Sequence, residues 1–277
     1  MNVQRISAFS DGQTGGNPAG VFIADQLPDT AEMQRIAAEV GFSETAFATP
    51  EGADWRVRYY SPESEVPFCG HATIALGAAL ALKHGDGVFT LNLLRSRITV
   101  EGRRVDGKIS AALQSPPTRS APAPASLVAE ALRLFGYTAD DLDERIPPAL
   151  AHGGADHLVL VLKTRAALAA MKYDLADGRT LMNREKLVTI MLAYAETPQL
   201  FHTRNPFASG GVYEDPATGA ATAAFAGYLR DIAWAHGGVI DIVQGEDMGL
   251  RSLIRAEVPP TPGSSIRVSG LVRLMAP

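Results

Sequence analysis

The chain has 277 residues, 46% hydrophobic and 20% charged, enough for one large soluble domain or two modest ones. Its net charge of −5, with 25 Lys and Arg against 30 Asp and Glu, argues against a nucleic-acid partner and against a surface held to anionic lipid. The single cysteine, Cys69, excludes an internal disulfide, a cysteine-based zinc site and any mechanism that needs two thiols.

Residues 1–9 carry no apolar run preceded by basic residues, so no signal peptide is expected. The longest apolar stretch, 74–82, is far short of the roughly 20 residues that span a bilayer. No membrane partner and a cytoplasmic location are the expectation.

In chain order, residues 3–9 and 20–24 read as strands, and Asp29-x-x-Glu32 opens a helix to about Val40 as a capping box. Residues 44–49 and 55–61 read as strands, the second alternating as Trp-Arg-Val-Arg-Tyr. Residues 71–84 form a helix that is apolar nearly all round, hence one buried in the middle of a domain. Residues 115–124, rich in Pro and small residues, read as an extended connector. Beyond it, 127–135 is an amphipathic helix capped by Ser126, and 157–162 and 188–195 are strands. A second nearly all-apolar helix covers 220–234, and 239–243, 250–257 and 265–275 are closing strands. The fold class is therefore α+β. Two similar domains are expected, 1–115 and 120–277, each a curved, mostly antiparallel sheet around one buried helix. The last strand is left open to a return into the first domain.

An internal repeat supports two related domains. Residues 65–80 align without gaps on 214–229, with seven identities in sixteen positions and a shared Glu-x-Pro-x-x-Gly-x-Ala-Thr lead-in. An offset of 149 residues is too long for a solenoid. Each copy delivers a glycine, Gly70 or Gly219, to a helix amino terminus, where unpaired N–H groups and the helix dipole favour an anion. If the two domains face each other, both amino termini enter one cleft and clamp a small carboxylate. A structural alternative is that the prolines and glycines only punctuate the helix starts.

Four segments carry a family resemblance. Gly16-Asn-Pro-Ala-Gly-Val21, Ser43-Glu-Thr-Ala-Phe47, Cys69-Gly-His-Ala-Thr73 and Glu214-Asp-Pro-Ala-Thr-Gly219 together resemble the PhzF-like phenazine biosynthesis family over essentially the whole chain. The resemblance implies a diaminopimelate epimerase-like fold, a homodimer and no cofactor or metal. In the epimerase branch two cysteines precede the two helix glycines. Here Cys69 holds the first place and Thr218 the second, and a threonine hydroxyl cannot act as the second base.

The resemblance implies instead a one-base isomerase acting on a dihydro-hydroxyanthranilate-type ring. Glu44 would be the acid/base, since desolvation makes a carboxylate a better base. His71 would bind substrate or shuttle the proton. Asp215 would hold a substrate amino group or orient His71. Asn17, Gly70, Thr73, Gly219 and Ala220 would contact substrate. Each has a structural alternative: Glu44 as a strand-end carboxylate, His71 as a helix-start histidine, Asp215 as a dipole partner, Asn17 as a turn residue, and Cys69 as a small apolar filler. Ala220 replaces a serine common in the family, which keeps the backbone N–H and loses a hydroxyl. The other five histidines show no metal spacing, and no nucleotide fingerprint is present. The competing reading is a catalytically inactive metabolite-binding or scaffold protein of the same fold. A third is an epimerase with Cys69 and Glu44 as opposite bases.

Overall fold

Period-two burial and helical capping build the two compact units in turn. The computed structural model describes residues 3–94 and 96–276. Residues 1 and 277, the outer ends of the expected domains, lie outside that range. One unit comprises residues 1–114 and 269–277, the other 115–268.

In the first unit, β1 (Gln4–Ala8) runs antiparallel to β2 (Asn17–Ile23), with Ala8 opposite Asn17. Helix α1 (Thr30–Val40) starts as its sequence dictates, the Asp29 carboxylate accepting from the Glu32 N–H at 2.8 Å. It carries the chain to β3 (Thr45–Glu51), parallel to β2 with Gly20 opposite Thr45. The antiparallel β4 (Asp54–Tyr60) and short β5 (Glu65–Val66) lead into α2 (Gly70–His84). Next come β6 (Gly87–Asn92), parallel to β4, and the meander β7 (Arg97–Val105) and β8 (Lys108–Gln114).

Every residue of α2 from His71 to Ala81 is buried, and the strands pack around it. That is possible because its residues are small. A Cβ on Gly102 of β7 would fall on the Gly77 carbonyl oxygen of α2, so only glycine permits this approach.

In the second unit, β9 (Arg119–Pro122) and α3 (Ala125–Phe135) precede β10 (Ala149–His152) and β11 (Asp156–Leu162). Helices α4 (Arg165–Ala169) and α5 (Leu175–Arg184) cross to β12 (Thr189–Ala195), parallel to β11 with His157 opposite Thr189. The antiparallel β13 (Leu200–Phe207) and short β14 (Val212–Asp215) lead into α6 (Gly219–Asp231). Strand β15 (Val239–Gln244) is parallel to β13 and antiparallel to β16 (Ser252–Glu257). Each unit thus follows one plan: antiparallel pairs joined by two parallel crossovers, the second containing the buried helix.

The last strand, β17 (Arg267–Leu274), takes the chain back into the first unit. Leu274 lies opposite Ile6 of β1, and Ser269 marks the return.

Three local expectations are corrected. Ser126 does not cap α3. The helix begins two residues earlier, at Ala125 behind Pro124 with φ −57, so Ser126 sits inside the first turn. The stretch 115–124 is no bare connector: β9 pairs with β10, and the Thr118 hydroxyl donates to the Ser264 carbonyl at 3.0 Å. The helix expected over 220–234 stops at Asp231, and Ala233 follows with φ 55, a left-handed value that no helix continues.

The repeated glutamates also find their reason here. Glu65 takes Arg58 in two bonds of 2.7 Å, and Glu214 takes Arg204 at 3.0 and 2.5 Å. In each unit an arginine on the strand before the motif clamps the glutamate that opens it. This part of the repeat is structural.

His157 is fully buried, its Nδ1 2.8 Å from the Thr189 hydroxyl, and burial pushes its imidazole down to about 3. The unfolded chain takes up that proton near 6.5 and the folded one does not. Stability is therefore expected to fall as pH drops from about 6.5 toward 3, by about 1.4 kcal/mol per pH unit from this residue. Urea unfolding of the parent and His157→Asn at pH 7, 6 and 5 checks it. The difference between the two proteins should change with pH, and a pH-independent difference refutes it.

Candidate active site

Helix α2 starts at Gly70 behind Cys69, which adopts an extended conformation and gives no side-chain cap. The Cys69 thiol instead meets the helix's own first turn, with Sγ 3.3 Å from Nδ1 of His71. The other ring nitrogen, Nε2, lies 3.5 Å from Oε2 of Glu44 and 3.3 Å from the Ser43 hydroxyl. The His71 and Glu44 side chains are only 7% and 14% exposed.

Glu44 reaches this position because its residue sits at the head of β3, where its carbonyl accepts the Gly20 N–H of β2 at 3.1 Å. Sequence-distant β3 and α2 thus converge on one imidazole, bracketed by a carboxylate and a hydroxyl on one side and a thiol on the other. Such a group can hold a proton and pass it between heteroatoms. Cys69 is therefore not just an apolar filler.

Asn17 lies at the start of β2 and is 2% exposed. Thr73, expected to contact substrate, is placed otherwise. It is fully buried, its hydroxyl donates to the Cys69 carbonyl at 2.6 Å, and the Tyr59 hydroxyl lies 2.7 Å away. Burial pushes the Tyr59 phenol well above its ordinary range, so it remains neutral and hydrogen-bonded. Thr73 holds the first turn of α2 in place, and with it Cys69 and His71.

In the second unit Asp215 ends β14, and its Oδ2 accepts from the Thr218 hydroxyl at 2.5 Å. Gln244, fully buried at the end of β15, pins the same turn. Its Oε1 accepts the Thr218 N–H at 3.1 Å, and its Nε2 donates to the Asp215 carbonyl at 2.7 Å and the Thr218 hydroxyl at 3.0 Å. Gly219 is buried and Ala220 half-buried at the first turn of α6, which has no side-chain cap.

Likeness to known proteins gives these residues a context. The model of the PhzC-PhzF family, described as phenazine biosynthesis-like protein, matches residues 6–272.

The chain belongs to the PhzC-PhzF family.

It is 31% identical over 256 residues to trans-2,3-dihydro-3-hydroxyanthranilate isomerase of Pseudomonas fluorescens, covering 91% of this chain and 88% of that one. It is also 31% identical over 268 residues to the uncharacterized isomerase YddE of Escherichia coli, covering 92% and 89%. A predicted epimerase of Pseudomonas aeruginosa superposes with a TM-score of 0.86 at 25% identity, over 99% of this chain and 96% of that one. A probable proline racemase shares the fold alone, with a TM-score of 0.67 at 14% identity over 99% and 91%. As a PhzC-PhzF member with such relatives, the chain is an isomerase.

Within this PhzC-PhzF chain the duplicated units have diverged at the chemical positions. The repeat sets Cys69 against Thr218 and His71 against Ala220. The parallel registers, Gly20 to Thr45 and His157 to Thr189, set Glu44 against Val188. The second unit therefore lacks proton-moving groups at the positions equivalent to Glu44, Cys69 and His71, and carries the carboxylate of Asp215 elsewhere in its motif.

Sequence reasoning missed Ser43 as a partner of His71, and missed Gln244. The second had a signal: in 239–244 the alternation buries Ile240, Ile242 and Gln244 together, an amide where an apolar residue is expected. Gln244→Leu should keep the strand and unpin the turn. The expected result is a loss of about 1–3 kcal/mol of stability with weaker substrate binding. Thermal unfolding and ligand titration measure both, and an unchanged affinity would remove Gln244 from the site.

Among the described residues, one set of three metal-ligating side chains converges: Glu44, Cys69 and His71, with ligand atoms within 4.8 Å of one another. No helix among the described residues is long and apolar enough to cross a membrane.

Proposed function

We propose that this chain is a cofactor-independent isomerase that moves a proton on a small cyclic, amino-substituted carboxylate, with Glu44 as the acid/base. The observation that carries it is the 3.5 Å approach of Glu44 to His71, both largely buried, at the start of α2. In this reading the Glu44 carboxylate takes a proton from one ring carbon as the electron pair moves into the π-system. The same group then returns the proton to a second carbon on the same face. His71 steadies the charge on Glu44 through each half of the transfer. Uncapped first-turn amides of α2 receive the substrate carboxylate.

The one-base route is supported by the absence of a second base at the positions equivalent to Glu44, Cys69 and His71. Relatives named trans-2,3-dihydro-3-hydroxyanthranilate isomerase make that compound the first to test. The experiment is incubation with it in heavy water, followed by proton NMR. Conversion supports the reading, with the substrate's own hydrogen at the receiving carbon where the transfer outruns exchange at Glu44 and deuterium there where it does not. Tight binding without conversion or exchange favours the alternative, a binding protein that kept the fold.

A further inference from the structure

We propose that Ser43 is a positioning residue of the proton-transfer site: its hydroxyl shares the Nε2 proton of His71 with Glu44, and holds the imidazole in one tautomer and orientation while Glu44 carries the substrate's proton. The catalytic consequence rests on Glu44 being the acid/base. The hold on the ring does not.

The Ser43 hydroxyl lies 3.3 Å from Nε2 of His71, and Oε2 of Glu44 lies 3.5 Å from the same nitrogen. Successive residues of a regular strand point to opposite faces. These two reach one atom because the chain is bent at residues 42 and 43, between the left-handed Gly41 that ends α1 and the start of β3 at Thr45. Among the described residues, His71 is the one hydrogen-bond partner of the Ser43 hydroxyl.

The second unit shows that the fold needs no hydroxyl here. The registers that set Glu44 against Val188 set Ser43 against Leu187, which is 3% exposed in an apolar cluster. The unit without proton-moving groups at these positions also lacks the hydroxyl, so Ser43 goes with the chemistry and not with the packing.

The partners of the ring select its tautomer. A carboxylate and a hydroxyl both accept at Nε2, and the Cys69 thiol, 3.3 Å from Nδ1, can donate there. Nε2 therefore carries the proton. While Glu44 is a carboxylate, its charge-assisted bond to that N–H is the stronger of the two. Once Glu44 has taken the proton from carbon it is a neutral acid and a weaker acceptor. The Ser43 hydroxyl then keeps the N–H in place, and the ring is still aimed at Glu44 when the proton returns to the second carbon.

The test has two arms on the full-length protein. Glu44→Gln stands in for the protonated acid, because its amide is neutral and can meet Nε2 either as donor or as acceptor. Proton–nitrogen NMR of protein labelled with ¹⁵N-histidine, assigned with His71→Gln, reads which ring nitrogen carries the proton and needs no substrate. Nε2–H is expected in the parent and in Glu44→Gln, and a mixture of tautomers in Glu44→Gln with Ser43→Ala. Ser43→Thr in place of Ser43→Ala should restore Nε2–H. In the second arm, with trans-2,3-dihydro-3-hydroxyanthranilate, Ser43→Ala should lower kcat about three- to tenfold, as one lost hydrogen bond does, with KM unchanged. Ser43→Thr should recover most of that rate, and melting curves separate the loss from misfolding.

An unaltered tautomer in the double variant overturns the hold on the ring. An unaltered kcat in Ser43→Ala, or a loss confined to KM, overturns the positioning role. If the double variant loses Nε2–H but Glu44→Gln converts the compound as fast as the parent, or the parent does not convert it, the acid/base reading falls and the hold on the ring stands. If conversion depends on Glu44 and not on Ser43, the reverse holds.

Discussion

Glu44→Gln is expected to lower turnover by about 10²–10⁴-fold, the range a positioned general base contributes. The substitution is nearly isosteric. The amide can still hydrogen-bond the His71 ring, so the packing around α2 is preserved. What disappears is the basic lone pair that accepts a carbon-bound proton. Because the partner of the Glu44 carboxylate among the described residues is the His71 ring, which the amide can still meet, melting should change by no more than about 0.5 kcal/mol. Glu44→Asp should fall between the two, since retracting the carboxylate by about one methylene from its target loses alignment and not basicity. Deuterium incorporation, read by NMR against a melting curve for each variant, measures activity and folding separately. Full exchange by a folded Glu44→Gln protein would remove Glu44 from the mechanism.

The largest stability effect is expected at Arg204. Its guanidinium is bound twice by Glu214, and it also donates to the Ala169 and Met171 carbonyls at 2.9 and 3.2 Å. The two side chains are 9% and 3% exposed. Arg204→Met strands a buried carboxylate and two carbonyls, at a cost of about 3–5 kcal/mol. The double variant Arg204→Met with Glu214→Leu removes both charges and should recover much of that loss, because the penalty lies in the unpaired ion. The corresponding pair in the first unit, Arg58 with Glu65, is 26% and 25% exposed. Breaking it should cost only about 1 kcal/mol or less, since solvent replaces the lost partner. Urea unfolding of the four proteins tests this ranking, and equal losses at the two sites would refute it. Glu214 also neighbours Asp215, so Arg204→Met should weaken ligand binding beyond its effect on folding.

Much of the site was legible because its residues lie in short contiguous motifs. Gly70 and His71 had to open a helix, since a glycine precedes a long run of small apolar residues. Asp29 had to cap α1, because Glu32 follows three residues later. Apolar composition all round the helix located eleven consecutive buried residues in α2. Elements without strong periodicity were not legible. The strands β6 to β8 mix exposed and half-buried residues. Helix α5 has only Gly178, Leu181 and Met182 buried, so its apolar stripe is too narrow to stand out. The placement of the Thr73 hydroxyl was not legible, because a motif position says nothing about where a hydroxyl points, and here Cys69 and Tyr59 take it.

The amino-acid sequence by itself determined the α+β class, the duplicated helix-start motif, the two buried helices and the exclusion of two-thiol chemistry, since all depend on local spacing and counts. Only the tertiary structure decided that Cys69 and Ser43 bracket His71, that Gln244 pins the Asp215 turn, and that the chain returns to the first unit at Ser269. Apart from Cys69 to His71, these are contacts between segments 26 to more than 250 residues apart, as Thr218 to Gln244 and Ile6 to Leu274 show. Strand pairing and side-chain packing select such contacts from many that local pattern leaves equally open.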